Sequence, residues 1–226
     1  VDQDRLDGLH DLLARLRKNQ HIKICQTEDV EASTRYTGFE DVSLLPKALP
    51  EFDRHQLELS TTFLGRDFPL PLLITGMTGG VEQGQMINYR LAAAAQTFGI
   101  PMGVGSQRMA LENPKLAKIF TVKDQAPDVF LIGNIGFAQL LTDESCDAVK
   151  RAVSMIEADA LAIHVNAIQE MVQVEGDRHF SGALERIEAV CAELKVPVLV
   201  KEVGCGLDLV TARALHQAGV AALDVG

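Results

Sequence analysis

Short apolar runs alternate with amphipathic stretches along most of the chain. Six apolar runs have the length and composition of buried strands, and each ends in glycine or in a polar cluster: residues 70–77, 100–104, 129–133, 161–165, 198–203 and 221–225. Helical patterns lie between them at residues 83–98, 114–123, 145–158, 182–194 and 208–218. A β-α unit therefore recurs roughly every 30 residues, which predicts parallel strands joined by right-handed crossovers.

Residue types at the ends of these helical patterns support their boundaries. Asn113 and Asp208 suit the N-cap position, and Pro114 suits the first turn of a helix. Gly99 and Gly219 follow two of the patterns, where a glycine would end the helix.

Residues 1–69 precede the first predicted barrel strand and form an N-terminal extension that we expect to pack on the barrel. A leucine stripe predicts an amphipathic helix over residues 6–17, and residues 57–63 resemble a strand followed by a tight turn at residues 64–67. Residues 38–50 are predicted to be irregular. The remaining residues, 70–226, are predicted to form the catalytic unit.

Six strands in this pattern fit two architectures. One is an open, doubly wound sheet, and the other is a (β/α)8 TIM barrel of which the chain covers about six of eight strands. The barrel is favoured, because the chain stops on the sixth strand and an open sheet would leave a buried edge uncovered there. The incomplete barrel is expected to gape.

Composition and charge narrow the function classes. The 226 residues are 47% hydrophobic and carry a formal net charge of −10, with no long basic run, so nucleic acids and anionic membranes are poor partners. The apolar runs are too short to span a bilayer, and residues 1–4 show no signal-peptide pattern, so we expect a cytoplasmic protein. The four cysteines lack the spacing of a zinc site or a disulfide framework and are expected to be reduced thiols.

The segment 160–178 has the densest concentration of polar groups directly after an apolar run. His164 lies within the run, and Asn166, Gln169 and Glu170 follow it. Four further polar residues come after these: Gln173, Glu175, Asp177 and Arg178. This pattern predicts an active site at the carboxyl end of a strand. The alternative is a core histidine followed by an ordinary polar loop.

Other predicted strands also end in residues suited to binding. Residues 74–80 (ITGMTGG) allow close backbone approach to a flat ligand, although a simple tight turn is equally compatible. Arg108 offers a fork for carboxylate or phosphate, and Asn134 offers an amide. Lys201 lies in an otherwise buried run and therefore requires a partner, either a carboxylate or the electron-rich edge of a cofactor.

These strand ends resemble, in order, those of the type 2 isopentenyl-diphosphate isomerase family. The resemblance extends from Arg17 to the last residue and rests on six motifs: RKNQH at 17–21, TGMTGG at 75–80, GSQR at 105–108, NIG at 134–136, HVN with QE and GDR at 164–178, and KEVG at 201–204. The QE and GDR elements distinguish this family from other FMN-dependent barrels.

The resemblance implies a set of site residues. FMN would contact Gly76, Met77, Thr78, Ser106, Asn134 and Lys201. The substrate diphosphate would be held by Arg17, Lys18 and Arg108, with Ser106 and Gln107 nearby. His164, Asn166 and Gln169 would line the substrate and form the catalytic set, Gln169 positioning or relaying the proton. Glu170 would bind Mg²⁺, NADPH would supply reducing equivalents, and the protein would form a homo-oligomer, a tetramer or an octamer.

The implied reaction interconverts isopentenyl diphosphate and dimethylallyl diphosphate by adding a proton at one carbon and removing one from another, with reduced FMN required. The family's remaining flavin-phosphate elements, expected after the sixth strand, are absent from this sequence. Two other classes stay open: another FMN-dependent barrel, such as a hydroxy-acid oxidase or dehydrogenase, and a flavin-free truncated scaffold.

Overall fold

The computed structural model describes residues 3–31, 36, 38–141, 145–174 and 176–226. Its α-helices are α1 Gln3–Thr27, α2 Glu82–Phe98, α3 Arg108–Glu112, α4 Ser145–Ser154, α5 Ala167–Val172, α6 Ala183–Glu193 and α7 Leu209–Gln217. Its strands are β1 Thr61–Phe63, β2 Arg66–Phe68, β3 Met102–Gly103, β4 Leu131–Gly136, β5 Ala160–His164, β6 Val198–Lys201 and β7 Ala222–Asp224. Short 3₁₀ helices occur at Phe39–Asp41, Arg54–Gln56, Pro114–Ile119 and Phe137–Leu141.

Strands β3 to β7 form one parallel sheet in which spatial order equals chain order. The first predicted strand, residues 70–77, contributes only a parallel bridge between Ile74 and Met102. Two backbone hydrogen bonds form this bridge, from Ile74 N–H to Pro101 O (3.0 Å) and from Gly103 N–H to Ile74 O (2.7 Å). Pro69 and Pro71 lack N–H groups, which limits pairing along this segment.

Most predicted helices are present, with ends shifted by a few residues. The helix predicted over residues 6–17 runs on to Thr27, and the predicted caps at Asn113 and Asp208 accept hydrogen bonds from the first-turn N–H groups. The prediction of an α-helix over residues 114–123 was wrong, since the structure has a 3₁₀ helix over Pro114–Ile119. Helices α3 and α5 were not predicted, because five or six residues are too few to show a helical period.

The two faces of the sheet bury different clusters. Alternate residues such as Ile135, Leu161, Ile163 and Val200 face outward and pack with residues from α4, α6 and α7. The opposite face presents a second set, which packs with Phe68 of the hairpin: Ile132, Ala160, Ala162, Leu199 and Ala222. The helices therefore cover one face of the sheet, while a hairpin fills the other.

The hairpin β1–β2 closes the inner face at the end where the strands begin. Its turn has left-handed backbone at Leu64 (φ 49°) and Gly65 (φ 77°), as a two-residue hairpin turn requires. The Phe68 ring stands edge-on to Phe130 with centroids 5.5 Å apart, and the Arg66 guanidinium donates to Asp128 O (3.2 Å). The strand predicted over residues 57–63 is thus confined to Thr61–Phe63.

Sequential strand order with helices on the outer face is the arrangement of a (β/α)8 barrel and not of a doubly wound sheet, whose order reverses. The division of the chain at residues 69 and 70 into an extension and a barrel unit stays a prediction.

Candidate active site

The carboxyl ends of the strands bring a row of polar side chains to the inner face. Ala162, Leu199 and Ala222 point inward, and because side chains alternate along a strand, the next inward side chains are His164, Lys201 and Asp224. Strand register aligns these three with each other, and it aligns His164 with Gly136 of β4. A Cβ on Gly136 would lie 2.9 Å from His164 Nε2, so the glycine makes room for the imidazole.

His164 is held in the row by Asn134. The Nδ1 atom of His164 lies 2.9 Å from Asn134 Oδ1, and Asn134 Nδ2 contacts Gly76 O at 3.5 Å. Because the Asn134 oxygen can only accept, Nδ1 carries the proton in this arrangement and Nε2 is free of it. Burial, together with the charges of Lys201 and Lys18, lowers the pKa of His164 to about 4. The imidazole is therefore neutral at physiological pH.

Lys201 is buried and uses a main-chain partner. Its Nζ donates to Glu202 O (2.5 Å), and the carboxylate of Asp224 lies near it. Burial lowers the pKa of Lys201, while the negative charges of Asp224 and Glu202 oppose the shift. The ammonium of Lys201 therefore lies between the main-chain carbonyl of Glu202 and the carboxylate of Asp224, beside His164.

The glycine-rich segment after Ile74 packs tightly against β3 and the residues that follow it. A Cβ on Gly76 would lie 2.0 Å from Val104 O, and one on Gly105 would lie 2.4 Å from the Thr78 carbonyl carbon. Only glycine allows the two backbones to approach this closely. Met77 is left 74% exposed between them, with Thr78 half-buried, so this pair of strand ends presents backbone and small groups to the barrel mouth.

Three cations from two elements meet beside this segment. Helix α1 brings Lys18 so close to Gly80 that a Cβ there would lie 2.2 Å from Lys18 Nζ. Burial and the neighbouring charges of Arg17 and Arg108, partly offset by Glu112, lower the pKa of Lys18 to about 8. Arg108 Nε lies 3.1 Å from Glu112 Oε1 within α3. Arg17, Lys18 and Arg108 are referred to below as the cation cluster, and Glu112 is the carboxylate paired with Arg108.

Gln107 is fully buried and bonds to main-chain groups. Its Oε1 accepts from Asn134 N–H (2.9 Å), its Nε2 donates to Ala152 O (2.8 Å), and its own N–H donates to Asn134 O (2.8 Å). These bonds fix the main chain of Asn134 and the start of α3. The neighbouring Ser106 is half-buried, and its Oγ is 3.5 Å from the N–H of Arg108.

Asn166 begins helix α5 and reaches across to strand β6. Its Oδ1 accepts from Gln169 N–H (2.6 Å) as an N-cap, and its Nδ2 donates to Glu202 Oε1 (2.6 Å). Gln169 is half-buried in the first turn of α5. The next residue, Glu170, is buried, and its Oε2 accepts from Asp177 N–H (3.1 Å). Glu175 lies outside the described residues.

Glu202 is a functional candidate that sequence reasoning missed. It is only 5% exposed, and both of its carboxylate oxygens are hydrogen-bonded. Burial raises the pKa of Glu202, but hydrogen bonds from the N–H groups of Cys205, Val203 and Gly204 and from Asn166 outweigh that effect and lower the pKa overall. Two signals for it were present in the sequence, its position directly after Lys201 and its place in the KEVG motif at 201–204.

No group of three or more metal-binding side chains occurs within the ranges that the structure describes. A search of the same residues for a helix long and apolar enough to cross a membrane found none.

Comparison with curated proteins gives several relatives that share one name. An isopentenyl-diphosphate delta-isomerase of Pyrococcus abyssi is 47% identical over 217 residues, which is 93% of this chain and 58% of the relative. The enzyme of the same name from Archaeoglobus fulgidus is 48% identical over 93% of this chain and 60% of the relative. That of Nostoc sp. is 46% identical over 92% and 60%. The chain thus spans about three fifths of the length of these relatives.

Solved structures support the fold. A mutant of mandelate oxidase with (S)-mandelic acid matches with a TM-score of 0.53 and 20% identity over 83% of this chain and 56% of that one. Mandelate oxidase with (S)-4-hydroxymandelic acid matches with a TM-score of 0.50 and 20% identity over 83% and 59%. This likeness, with the sequential strand order, confirms the predicted (β/α)8-barrel class.

No family model matches the chain. Over 92–93% of its length, the chain is nevertheless similar, at 46–48% identity, to proteins named isopentenyl-diphosphate delta-isomerase, in agreement with the sequence motifs at the strand ends.

Proposed function

We propose that the protein interconverts isopentenyl diphosphate and dimethylallyl diphosphate with the help of reduced FMN. The observation that carries this proposal is the cation cluster, in which α1 brings Arg17 and Lys18 to Arg108 at the mouth of the barrel. Clustered cations with few carboxylates suit a diphosphate. The names of the relatives and the sequence motifs point to the same substrates.

The residues around the barrel mouth suit a flavin because several of them are small. Gly76 and Gly105 let neighbouring backbones pack closely, and the half-buried Thr78 and Ser106 lie beside them as small groups that a flat ring could contact. Lys201 and Asn134 supply a cation and an amide beside it. We propose that these residues hold FMN, which when bound and reduced supplies an electron-rich surface and a proton source for the alkene.

The chain's own groups would orient the substrate and control protons. The cation cluster would anchor the diphosphate, so that the carbon chain extends toward His164 and Gln169. A neutral His164, bound through Nδ1 to Asn134, would line the alkene without adding positive charge next to a developing carbocation. Gln169, at the start of α5, would position or relay the proton. Gln107 would not contact the substrate; it would hold the main chain of Asn134 and the neighbouring Arg108 in place.

We also propose that Glu170 binds Mg²⁺ and that NADPH serves as reductant. Mg²⁺ commonly uses one or two carboxylates together with substrate phosphates, so a buried glutamate in the first turn of α5 fits such a role. The change Glu170→Gln should then weaken the dependence of the rate on Mg²⁺ while flavin binding is kept. Loss of flavin binding instead would take Glu170 out of the metal role. A homo-oligomeric state and a cytoplasmic location belong to the same proposal.

The deciding experiment uses the full-length protein. It is incubated anaerobically with isopentenyl diphosphate, FMN, Mg²⁺ and NADPH, and dimethylallyl diphosphate is measured. Formation of that product supports the proposal. A flavin-loaded sample that gives no product contradicts it, and oxidation of small hydroxy acids by such a sample would favour the second class of FMN-dependent barrel.

A further inference from the structure

Glu202 lies where three parts of the site meet. Its Oε1 accepts from Asn166 Nδ2 (2.6 Å) after β5, and its Oε2 accepts from Gly204 N–H (2.9 Å) and Cys205 N–H (2.5 Å) after β6. Its own N–H donates to Asp224 O (3.0 Å) on β7. The carboxylate of Glu202 therefore connects the ends of β5 and β6, and its main chain adds a bond to β7.

All the groups that bond to this carboxylate are donors. A carboxylate can accept on both oxygens, whereas an amide in its place would have to turn an NH₂ group toward one of these donors. The charge of Glu202 also fits its surroundings, because backbone N–H groups stabilise an anion there.

The contact with Glu202 decides the orientation of the Asn166 amide. With Nδ2 directed at the carboxylate, Oδ1 is directed at Gln169 N–H and caps α5. If the amide reversed, Nδ2 would face that N–H and the cap would be lost. Since Gln169 and Glu170 both lie in the first turns of α5, the placement of these two residues depends on the Asn166 orientation.

We propose that Glu202 is a positioning residue that fixes the Asn166 amide and thereby holds α5, with Gln169 and Glu170, in place against the end of β6. This inference rests on the proposed isomerase function for its kinetic consequence, but its structural content does not. Asn166 then serves the site by orienting α5 through its cap.

A reciprocal exchange tests this role. In Glu202→Gln the new NH₂ group faces Asn166, which must reverse and uncap α5, while in Asn166→Asp two carboxylates face each other. The double variant Glu202→Gln with Asn166→Asp restores complementarity, because the aspartate accepts from both the glutamine NH₂ and Gln169 N–H. Glu188→Gln on the exposed surface of α6 is the matched control.

Amide hydrogen exchange in the full-length protein is the first readout. Exchange at Gln169 should be roughly fivefold faster in each single variant than in wild type, and the double variant should return to the wild-type rate. Should Glu202→Gln fail to fold, recovery of a folded protein in the double variant supports the role, and failure of the double variant contradicts it.

Isomerase kinetics give the second readout. Each single variant should lower kcat about tenfold or more with a smaller change in KM for the diphosphate, and the double variant should recover most of the loss. Wild-type exchange in Glu202→Gln, or a double variant no better than the worse single variant, would overturn the inference. An inactive wild type with the expected exchange pattern would count against the proposed function alone.

Discussion

At the scale of single residues, the site depends on which face of a strand a side chain occupies. His164, Lys201 and Asp224 are inward because they continue an alternation that begins with small and apolar residues deeper in the barrel. Gly136 of β4 is in register with His164, and because it has no side chain it leaves space for the imidazole. His164 is neutral because it is buried beside the positive charge of Lys201, and both effects lower its pKa.

His164 should make stability depend on pH. Its pKa is about 4 in the folded protein, against an ordinary value of 6.5, so the unfolded chain binds more protons between these values. The free energy of unfolding should therefore fall as pH drops from 6.5 toward 4, by at most about 1.4 kcal/mol per pH unit from this group.

Urea unfolding at several pH values measures this slope. His164→Gln should flatten it, whereas His216→Gln, on the exposed surface of α7, should leave it unchanged. Equal slopes for wild type and His164→Gln would show that the imidazole titrates normally.

At the scale of elements, helix α1 adds two cations, Arg17 and Lys18, beside the Arg108 that α3 supplies. The sequence predicted an amphipathic helix from its leucine stripe, and the placement of Lys18 against Gly80 could not be read from that stripe because it depends on tertiary packing.

Lys18→Ala should raise KM for the diphosphate substrate roughly 10- to 100-fold, the usual cost of losing a charge-assisted contact. Because the pKa of Lys18 is about 8, wild-type kcat/KM should also decline as the pH rises past that value. Lys23→Ala, an exposed change on the same helix, is the control. An unchanged KM in Lys18→Ala would place the helix elsewhere during binding.

The β1–β2 hairpin is the element that fills the inner face of the barrel. Phe68 is 4% exposed and packs on Phe130, so Phe68→Ala should lower the free energy of unfolding by about 3–5 kcal/mol. Phe39→Ala, at a side chain that is 80% exposed, should change it by less than about 0.5 kcal/mol. Chemical denaturation of both variants measures the difference, and similar losses would mean that the hairpin does not plug the barrel.

At the scale of the whole molecule, the cysteines provide a simple test of the packing. All four are free thiols, with Cys25 and Cys205 exposed and Cys146 and Cys191 half-buried. A thiol reagent should therefore modify two groups rapidly in the native protein and all four after denaturation. Rapid modification of all four in the native state would contradict the packing of α4 and α6.

The sequence allowed the order of strands and most helices to be predicted, because buried strands need apolar runs such as residues 161–165 and long helices need a repeating apolar face. It could not give α5, whose six residues are too few to show a period, nor the carboxylate of Glu202, whose importance comes from Asn166 and Cys205 across the fold. Local pattern predicts elements; contacts between distant residues complete the site.

The equality of spatial and chain order in the sheet also bears on how the protein is made. Each strand from β4 to β7 pairs with the strand synthesised just before it, so the sheet can grow by one edge at a time as the chain leaves the ribosome. Polar groups of the site join in the same sequence: Asn134, then His164, then Lys201 and Glu202. The ammonium of Lys201 is therefore made before Asp224, the carboxylate that pairs with it in register on β7.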